Sequence, residues 1–404
     1  MRRALTSLAL LWLGGACSFA AAPTGAWRLA AEPPLGTTGG SATVLSDGRV
    51  LLAGGYFRNG SPSPAAQLHD PSADGWTQLP SMPGPRMSHT ATLLRDGRVL
   101  ITGGSDGERS LSSTLIFDPS TLTWSPAAPL PSASEGASSV LLDDGRVLVV
   151  GGNRRQLFSP ELVPLASAET YDPARSAWST APNLSVPTAG GRLVALGDGT
   201  ALYAGGFGEN GPVIAPELFD PVRNAWTSAG DLPLPISIGL AAPLGRQRVL
   251  FIGTGLGPSN HAAAVLFSLS ARSWSVVKSP PGAAFPVALA PASAGRLLLI
   301  EIESQGGRQT VGGAFYDPHQ GSWSSIATYE ESGNPGNLDV APLDRGRVLV
   351  AGEAAHIFDP DASAAVSVSS IDVIESPSLT LAEGILAVLL LAVLGVRALR
   401  SRLT

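Results

Sequence analysis

Short apolar runs recur along this chain at a nearly fixed interval, each introduced by a polar turn. The phrase Asp47-Gly48-Arg49-Val50-Leu51 returns as Asp96-Gly97-Arg98-Val99-Leu100 and as Asp144-Gly145-Arg146-Val147-Leu148. Weaker copies stand at Asp198-Gly199, at Gly245 with Arg248-Val249-Leu250, at Gly295-Arg296-Leu297-Leu298 and at Gly346-Arg347-Val348-Leu349. The seven marker glycines are spaced 49, 48, 54, 46, 50 and 51 residues apart. Such a period signals a repeat architecture, which spends the whole length on one domain. Asp-Gly between alternating apolar runs predicts a hairpin, here with a two-residue primed turn. It joins an inner strand such as Ala91 to Leu94 to a second strand such as Val99 to Thr102.

Three further marks complete the unit. The early copies run into a diglycine, at Gly54-Gly55, Gly103-Gly104, Gly151-Gly152 and Gly205-Gly206, where close backbone approach is expected. An aromatic followed by Asp-Pro, as in Phe117-Asp118-Pro119 and Tyr171-Asp172-Pro173, ends a third strand, because proline has no N–H for the ladder. A tryptophan then opens the fourth strand, at Trp76, Trp124, Trp178, Trp226, Trp274 and Trp323, offering an apolar plate to the next unit.

This combination resembles the kelch repeat, and the resemblance covers residues 25–365. It implies an all-β, seven-bladed kelch-type β-propeller of four-stranded blades. The seventh copy has Phe358-Asp359-Pro360 but no tryptophan, while Trp27 stands alone, one period before Trp76. The N-terminal strand is therefore expected to supply the last strand of blade seven and close the ring, removing exposed edges. Blades five to seven depart from the pattern, with Gly253-Thr254-Gly255, Ile300-Glu301-Ile302 and Gly352-Glu353 in place of diglycine, and less regular packing is expected there.

The ends read differently. Residues 1–20 have the form of a secretory signal: Arg2 and Arg3, an apolar stretch, then Ser18-Phe19-Ala20 as a cleavage site. The chain's one cysteine, Cys17, lies inside it. A lipoprotein reading of Leu13 to Cys17 is the alternative, with the leucine one place too far from the cysteine. Cleavage after Ala20 leaves no thiol, so the core must suffice without disulfides. After a linker at 366–378, residues 379–396 form an apolar run broken only by Glu383, long enough for a C-terminal transmembrane helix. The basic tail, 397–404, holds Arg397, Arg400 and Arg402 and is expected to stay cytoplasmic, leaving the propeller outside. Ser376-Pro377-Ser378 before that helix loosely resembles bacterial sorting tails that release a protein to the surface, although it lacks their Pro-Glu-Pro signature.

Composition sharpens the exclusions. Of 404 residues, 44% are hydrophobic and 14% charged, too apolar for a disordered chain, and 47 Gly with 34 Pro argue against long helices. The net charge of −6 hides a more acidic middle: residues 21–378 hold 21 basic and 31 acidic side chains, a net of −10. Nucleic acid is excluded as a partner on that ground.

In an antiparallel four-stranded blade, the first-to-second and third-to-fourth turns share one face of the ring. Here they are short and uniform, with little room for a site. The opposite face carries the variable loops, including the extra residues from Asn153 to Phe158 in repeat three, and binding is expected there. Ligand-contact candidates on it are Arg58, Arg86, Arg109, Arg154, Arg155, Phe158, Asn210, Asn260, His261 and Arg308, with Asn59 and Asn334 beside them. Kelch propellers include galactose oxidase, whose copper chemistry needs two His, two Tyr and a Tyr-linked Cys. The mature chain has no Cys, and His69, His89, His319 and His356 occupy structural slots of the repeat. The sialidase Asp-box is imitated once, at Ser72-Ala73-Asp74-Gly75-Trp76, and does not recur. No phosphate loop, catalytic triad or zinc spacing is visible. The sequence thus reads as a monomeric, membrane-tethered, non-catalytic binding module for an envelope or extracellular glycan or protein, without a cofactor. An unrecognised propeller hydrolase or oxidase and a passive surface component are the alternatives.

Overall fold

Every copy of the repeat becomes an antiparallel sheet built on four strands, which follow chain order in blades one to six. The structure, a computed structural model, describes residues 25–155, 161–234, 236–255, 262–281, 285–305, 308–331, 338–352 and 354–362. The expected signal, linker, transmembrane helix and basic tail lie outside the described residues. Among the described residues, no helix is long and apolar enough to cross a membrane.

Blade one is built from Ser41–Val44, Val50–Ala53, Ala66–Asp70 and Gly75–Gln78. Five further blades follow at 90–127, 138–181, 192–228, 236–277 and 285–325. Blade seven holds Asp339–Pro342, Val348–Ala351 and Ala355–Asp359, and Ala26–Leu29 from the N-terminus pairs with the last of these as its fourth strand. The first strands of successive blades neighbour one another, and that of blade seven meets that of blade one. The expected seven-bladed ring and its closure are therefore both present. The inner strand of blade two runs Thr90–Leu93, one residue earlier than the sequence suggests.

The second strands are buried along their whole length in blades one to four, as in Val50–Ala53 and Val147–Val150. Their two faces feed the apolar layers on either side of the blade: Leu51 and Ala53 pack toward blade two, Val50 and Leu52 toward blade seven. No blade could bury this area alone.

The tryptophans bind these layers together, but toward the preceding blade and not the next one as expected. Each indole N–H donates to a backbone carbonyl just after the fourth strand of the blade before it, at 2.7–2.9 Å: Trp76 to Ala31, Trp124 to Pro80, Trp178 to Ala128, Trp226 to Pro182, Trp274 to Ala229, Trp323 to Lys278 and Trp27 to Ala327. Each also sits opposite the third-strand aromatic of its own blade, with ring centroids 4.6–5.1 Å apart. His69 takes that aromatic slot in blade one, opposite Trp76.

The Asp-Gly hairpins differ from the expected primed turn. In blade one the Gly48 N–H donates to Leu45 O and the Leu45 N–H to Arg49 O, and Gly48 (φ +87°) has a positive φ while Asp47 does not. This is a three-residue loop ending in a glycine bulge. Asp47 stabilises the loop in another way, since its carboxylate accepts the Arg49 N–H and guanidinium at 3.0 and 2.8 Å, which holds its pKa below the ordinary value. The primed geometry appears instead in the degraded copies, where Ala294 and Gly295 in blade six and Arg345 and Gly346 in blade seven all have positive φ.

Diglycine is a steric requirement. A Cβ at Gly54 would stand 2.3 Å from Arg86 O, and one at Gly55 would stand 2.4 Å from Thr38 O. The pair kinks the chain away from the second strand, and the next residue bridges back to the segment entering the blade: Thr38 with Tyr56, Met87 with Ser105, Glu135 with Asn153, Ala189 with Phe207. Blades five and six lack the pair, and there the strands simply continue. The second strands become Arg248–Gly255 and Leu297–Gln305, each against a first strand with a register shift. The irregularity expected of these blades is thus a lengthening, and blade six gains a fifth strand, Tyr329–Glu331.

Of the carboxyls enclosed by this packing, Glu169, Glu301 and Asp339 are each raised to about 7 by burial, against a Ser167 bond in the first case and the Gly40 N–H in the last. The folded state holds their protons where the unfolded chain, near pH 4, has released them, so their contribution to stability falls as pH rises from about 4 to about 7. His69, His89 and His356, all lowered by burial, titrate in the opposite sense below about pH 6.5, so the comparison is best made between variants that share them. Glu301→Gln and Asp339→Asn are each expected to gain about 1–3 kcal/mol on the parent between pH 5 and pH 8, with no further gain above pH 8. Urea unfolding across that range measures it, and a pH-independent difference refutes the burial of these carboxyls.

Ring closure gives a second expectation. Trp27→Ala should destabilise the protein by about 3 kcal/mol, as Trp124→Ala does. Trp27→Phe, which keeps a plate but loses the donor, should cost about 1 kcal/mol. Thermal unfolding in which Trp27→Ala is silent and Trp124→Ala is not would remove the N-terminal strand from the ring.

Candidate functional site

The diglycine kinks build the face expected to bind. After each kink in blades one to four the chain turns through a short hairpin: a bridge from Tyr56 to Pro62, one from Ser105 to Ser110, the strands Asn153–Arg155 with Leu162–Pro164, and Phe207–Gly208 with Gly211–Pro212. The insertion of repeat three is accordingly a hairpin, not an open loop. Its tip, with Phe158, lies outside the described residues, as do Asn260, His261 and Asn334.

The candidate residues separate into two groups. Arg58, Arg109, Arg154 and Asn210 are exposed on the hairpins of blades one, two, three and four, on one face of the ring. Arg109 is paired with Asp106 at 3.1 Å in its own turn. Arg308 opens the third strand of blade six, also on this face. Arg86 is different: 3% exposed, it donates to Gly103 O at 2.7 Å, Ser113 O at 2.9 Å and Ser113 Oγ at 2.7 Å. Burial lowers its pKa to about 10, and it holds the kink of blade two, a role its sequence position did not reveal. Arg155 likewise turns inward, pairing with the buried Glu135 at 3.1 Å.

Apolar side chains missed by the sequence reading lie beside these polar tips. Leu162, Val186, Phe207 and Ile214 are exposed by 41, 37, 45 and 44%. Val186 and Ile214 wall a 320 Å³ cleft in blade four, whose rim carries Glu209 and Asn210. Phe207 stands between Gly206 and Gly208 and Val186 before Pro187, and no periodicity marked any of the four.

The opposite face is less closed than expected. Clefts of 470, 350 and 500 Å³ lie between its turns. Their charges, however, are answered locally: Arg98 by Asp96 and Arg146 by Asp144, both at 2.6 Å, Arg175 by Asp172 at 2.7 Å and Arg223 by Asp220 at 2.9 Å. The Asp-box imitation is one of these turns, with Asp74 at φ +48° accepting from Arg28.

The described histidines serve the scaffold. His89 Nε2 lies 2.9 Å from Ser41 Oγ between the first strands of blades one and two, and burial pushes its pKa down to about 3. His356 stacks on Tyr329 with centroids 3.9 Å apart, and His319 follows the Asp317 turn. Among the described residues no three His, Cys, Asp or Glu side chains converge as metal ligands.

The family model of the kelch motif matches residues 86–131, the stretch from Arg86 through the fourth strand of blade two. No curated protein matches the sequence. Among solved structures, the fold is similar to that of a fungal alcohol oxidase of the AA5 family in complex with copper, with a TM-score of 0.62 and 15% identity over 83% of this chain and 76% of that one. At that identity the likeness is one of fold, and the chain is a seven-bladed β-propeller with a kelch motif in blade two.

Proposed function

We propose that this protein is a non-catalytic binding module, exported and tethered by the 379–396 helix, that presents the hairpin face of blades one to four to a glycan or protein outside the cell. The observation that carries the reading is the collection of exposed Leu162, Val186, Phe207 and Ile214 on the hairpin side of blades three and four, next to a cleft with polar rim groups. Exposed apolar side chains on one face, with polar groups at their rim, have the composition of a recognition surface. The kelch motif supports the reading, because a rigid ring with variable hairpins is suited to holding a ligand.

A glycan array and an envelope pull-down with the full-length protein identify the ligand. Arg154→Ala, Phe158→Ala and Phe207→Ala are each expected to weaken its binding by about 1 kcal/mol or more, with folding little changed. Charge reversal at Asp47 and Asp96, on the other face, should leave affinity intact. The assignment of the face is falsified if those reversals abolish binding in a folded protein while shortening the segment from Asn153 to Phe158 does not.

The tether has its own test. Full-length protein should sediment with membranes, whereas a chain stopped at Ser376 should be released in soluble form outside the cytoplasm. Equal solubility of the two forms argues against a membrane anchor.

A further inference from the structure

Blade six carries a carboxylate that the ring itself does not use. Its second strand, Leu297–Gln305, runs straight through the point where blades one to four kink, so Glu301 stands in the slot that Gly54 fills in blade one. Leu297 and Leu299 face the layer shared with blade five, while Leu298, Ile300 and Ile302 face blade seven. By strand alternation Glu301 and Glu303 project to the blade-five side. Glu301 is 5% exposed, and its Oε1 has no hydrogen-bond partner. It lines a 240 Å³ cleft together with Glu303, Thr310, Thr328, Pro281 and Ile326. Across the ladder, Gly312 pairs with Glu301, and a Cβ there would come within 2.7 Å of Thr328 Cγ2. The absent side chain lets Thr328 close in on the ladder beside the carboxylate. Among the described side chains, no lysine or arginine lines the cleft.

An unpaired carboxylate held out of water is costly unless a cation meets it, and the pKa of about 7 that burial gives Glu301 records that cost. A divalent metal would need six or more oxygens drawn in to about 2.0–2.6 Å. This cleft offers only the carboxylates of Glu301 and Glu303 and the hydroxyls of Thr310, Ser325 and Thr328 among its side-chain oxygens, with Pro281 beside them. An ammonium head offers three donors, matching the buried carboxylate, Glu303 and a threonine hydroxyl, while a short hydrocarbon body would lie against the exposed Pro281. We propose that the Glu301 cleft of blade six is a binding site for a primary ammonium group on a short aliphatic chain. It is independent of the hairpin face of blades three and four.

Calorimetric titration of the full-length protein at pH 8 tests this with n-butylammonium, Nα-acetyl-lysine amide, 1-butanol and calcium chloride. Saturable binding of an amine is expected, with none for butanol. Tighter binding of butylammonium points to a free amine, and tighter binding of the lysine derivative to the side chain of a partner. Glu301→Gln should weaken the amine at least tenfold, and the exposed Glu303→Gln, which leaves the buried layer untouched, severalfold. The proposal is overturned if no amine binds saturably, if calcium binds where amines do not, or if butylammonium affinity is unchanged in Glu303→Gln and in a folded Glu301→Gln.

Discussion

Each blade is pinned to the one before it by a single indole N–H, and the whole ring depends on that backward contact. A four-stranded sheet with apolar residues on both faces cannot exist alone in water, so every blade needs two neighbours. Because the indole always reaches back, blade one can be pinned only if something precedes it. The N-terminal segment meets that need twice. Ala26–Leu29 completes blade seven and sends Trp27 to Ala327 O of the blade-six side, while Ala31, two residues beyond, supplies the carbonyl that receives Trp76. Closure is thus one short segment acting as the last strand of one blade and the acceptor for the next.

A second constraint divides the ring into two parts. Where the second strand ends in diglycine, the neighbouring carbonyls of Arg86 and Thr38 press so close that only a residue without a side chain fits, and the chain is forced aside into a hairpin. Where the diglycine is missing, as in blades five and six, the strands run on and the blade lengthens toward the same face. The hairpins of blades one to four and the buried Glu301 of blade six therefore have one cause, seen from opposite sides.

Much of this was legible in the sequence because the repeat prints its geometry seven times. The number of repeats and the place of Trp27 one period before Trp76 came from spacing, and the ring of four-stranded blades from the turn marks and the kelch resemblance. What spacing could not give was direction and partner. It could not say that the tryptophan reaches backward, since a period is the same in both directions. Nor could it tell that Arg86 faces inward, because an arginine after Gly-Pro reads as a surface residue until Gly103 O and Ser113 are seen around it. The Asp-Gly turn was read from its glycine, whereas its aspartate is set by the arginine two places on, an interaction that fixes a bulged loop and not a primed one. The apolar cleft of blade four is invisible for a related reason: Val186 and Ile214 are far apart in sequence and come to line one cleft only in the folded ring.

The two faces of the ring differ in what remains available to a ligand. On the turn face, arginine and aspartate come as pairs within single loops, and an ion pair already formed at the surface leaves little field or donor capacity to offer. The clefts there are roomy, but most of their arginines are already paired. On the hairpin face, the kinks leave apolar side chains exposed that the ring has no means to cover, beside exposed Arg154 and Asn210. Burial of that apolar area by a partner is favourable. The repeat that makes the ring stable therefore also sets where it can be bound, by satisfying its own charges on one side and being forced to expose its hairpins on the other.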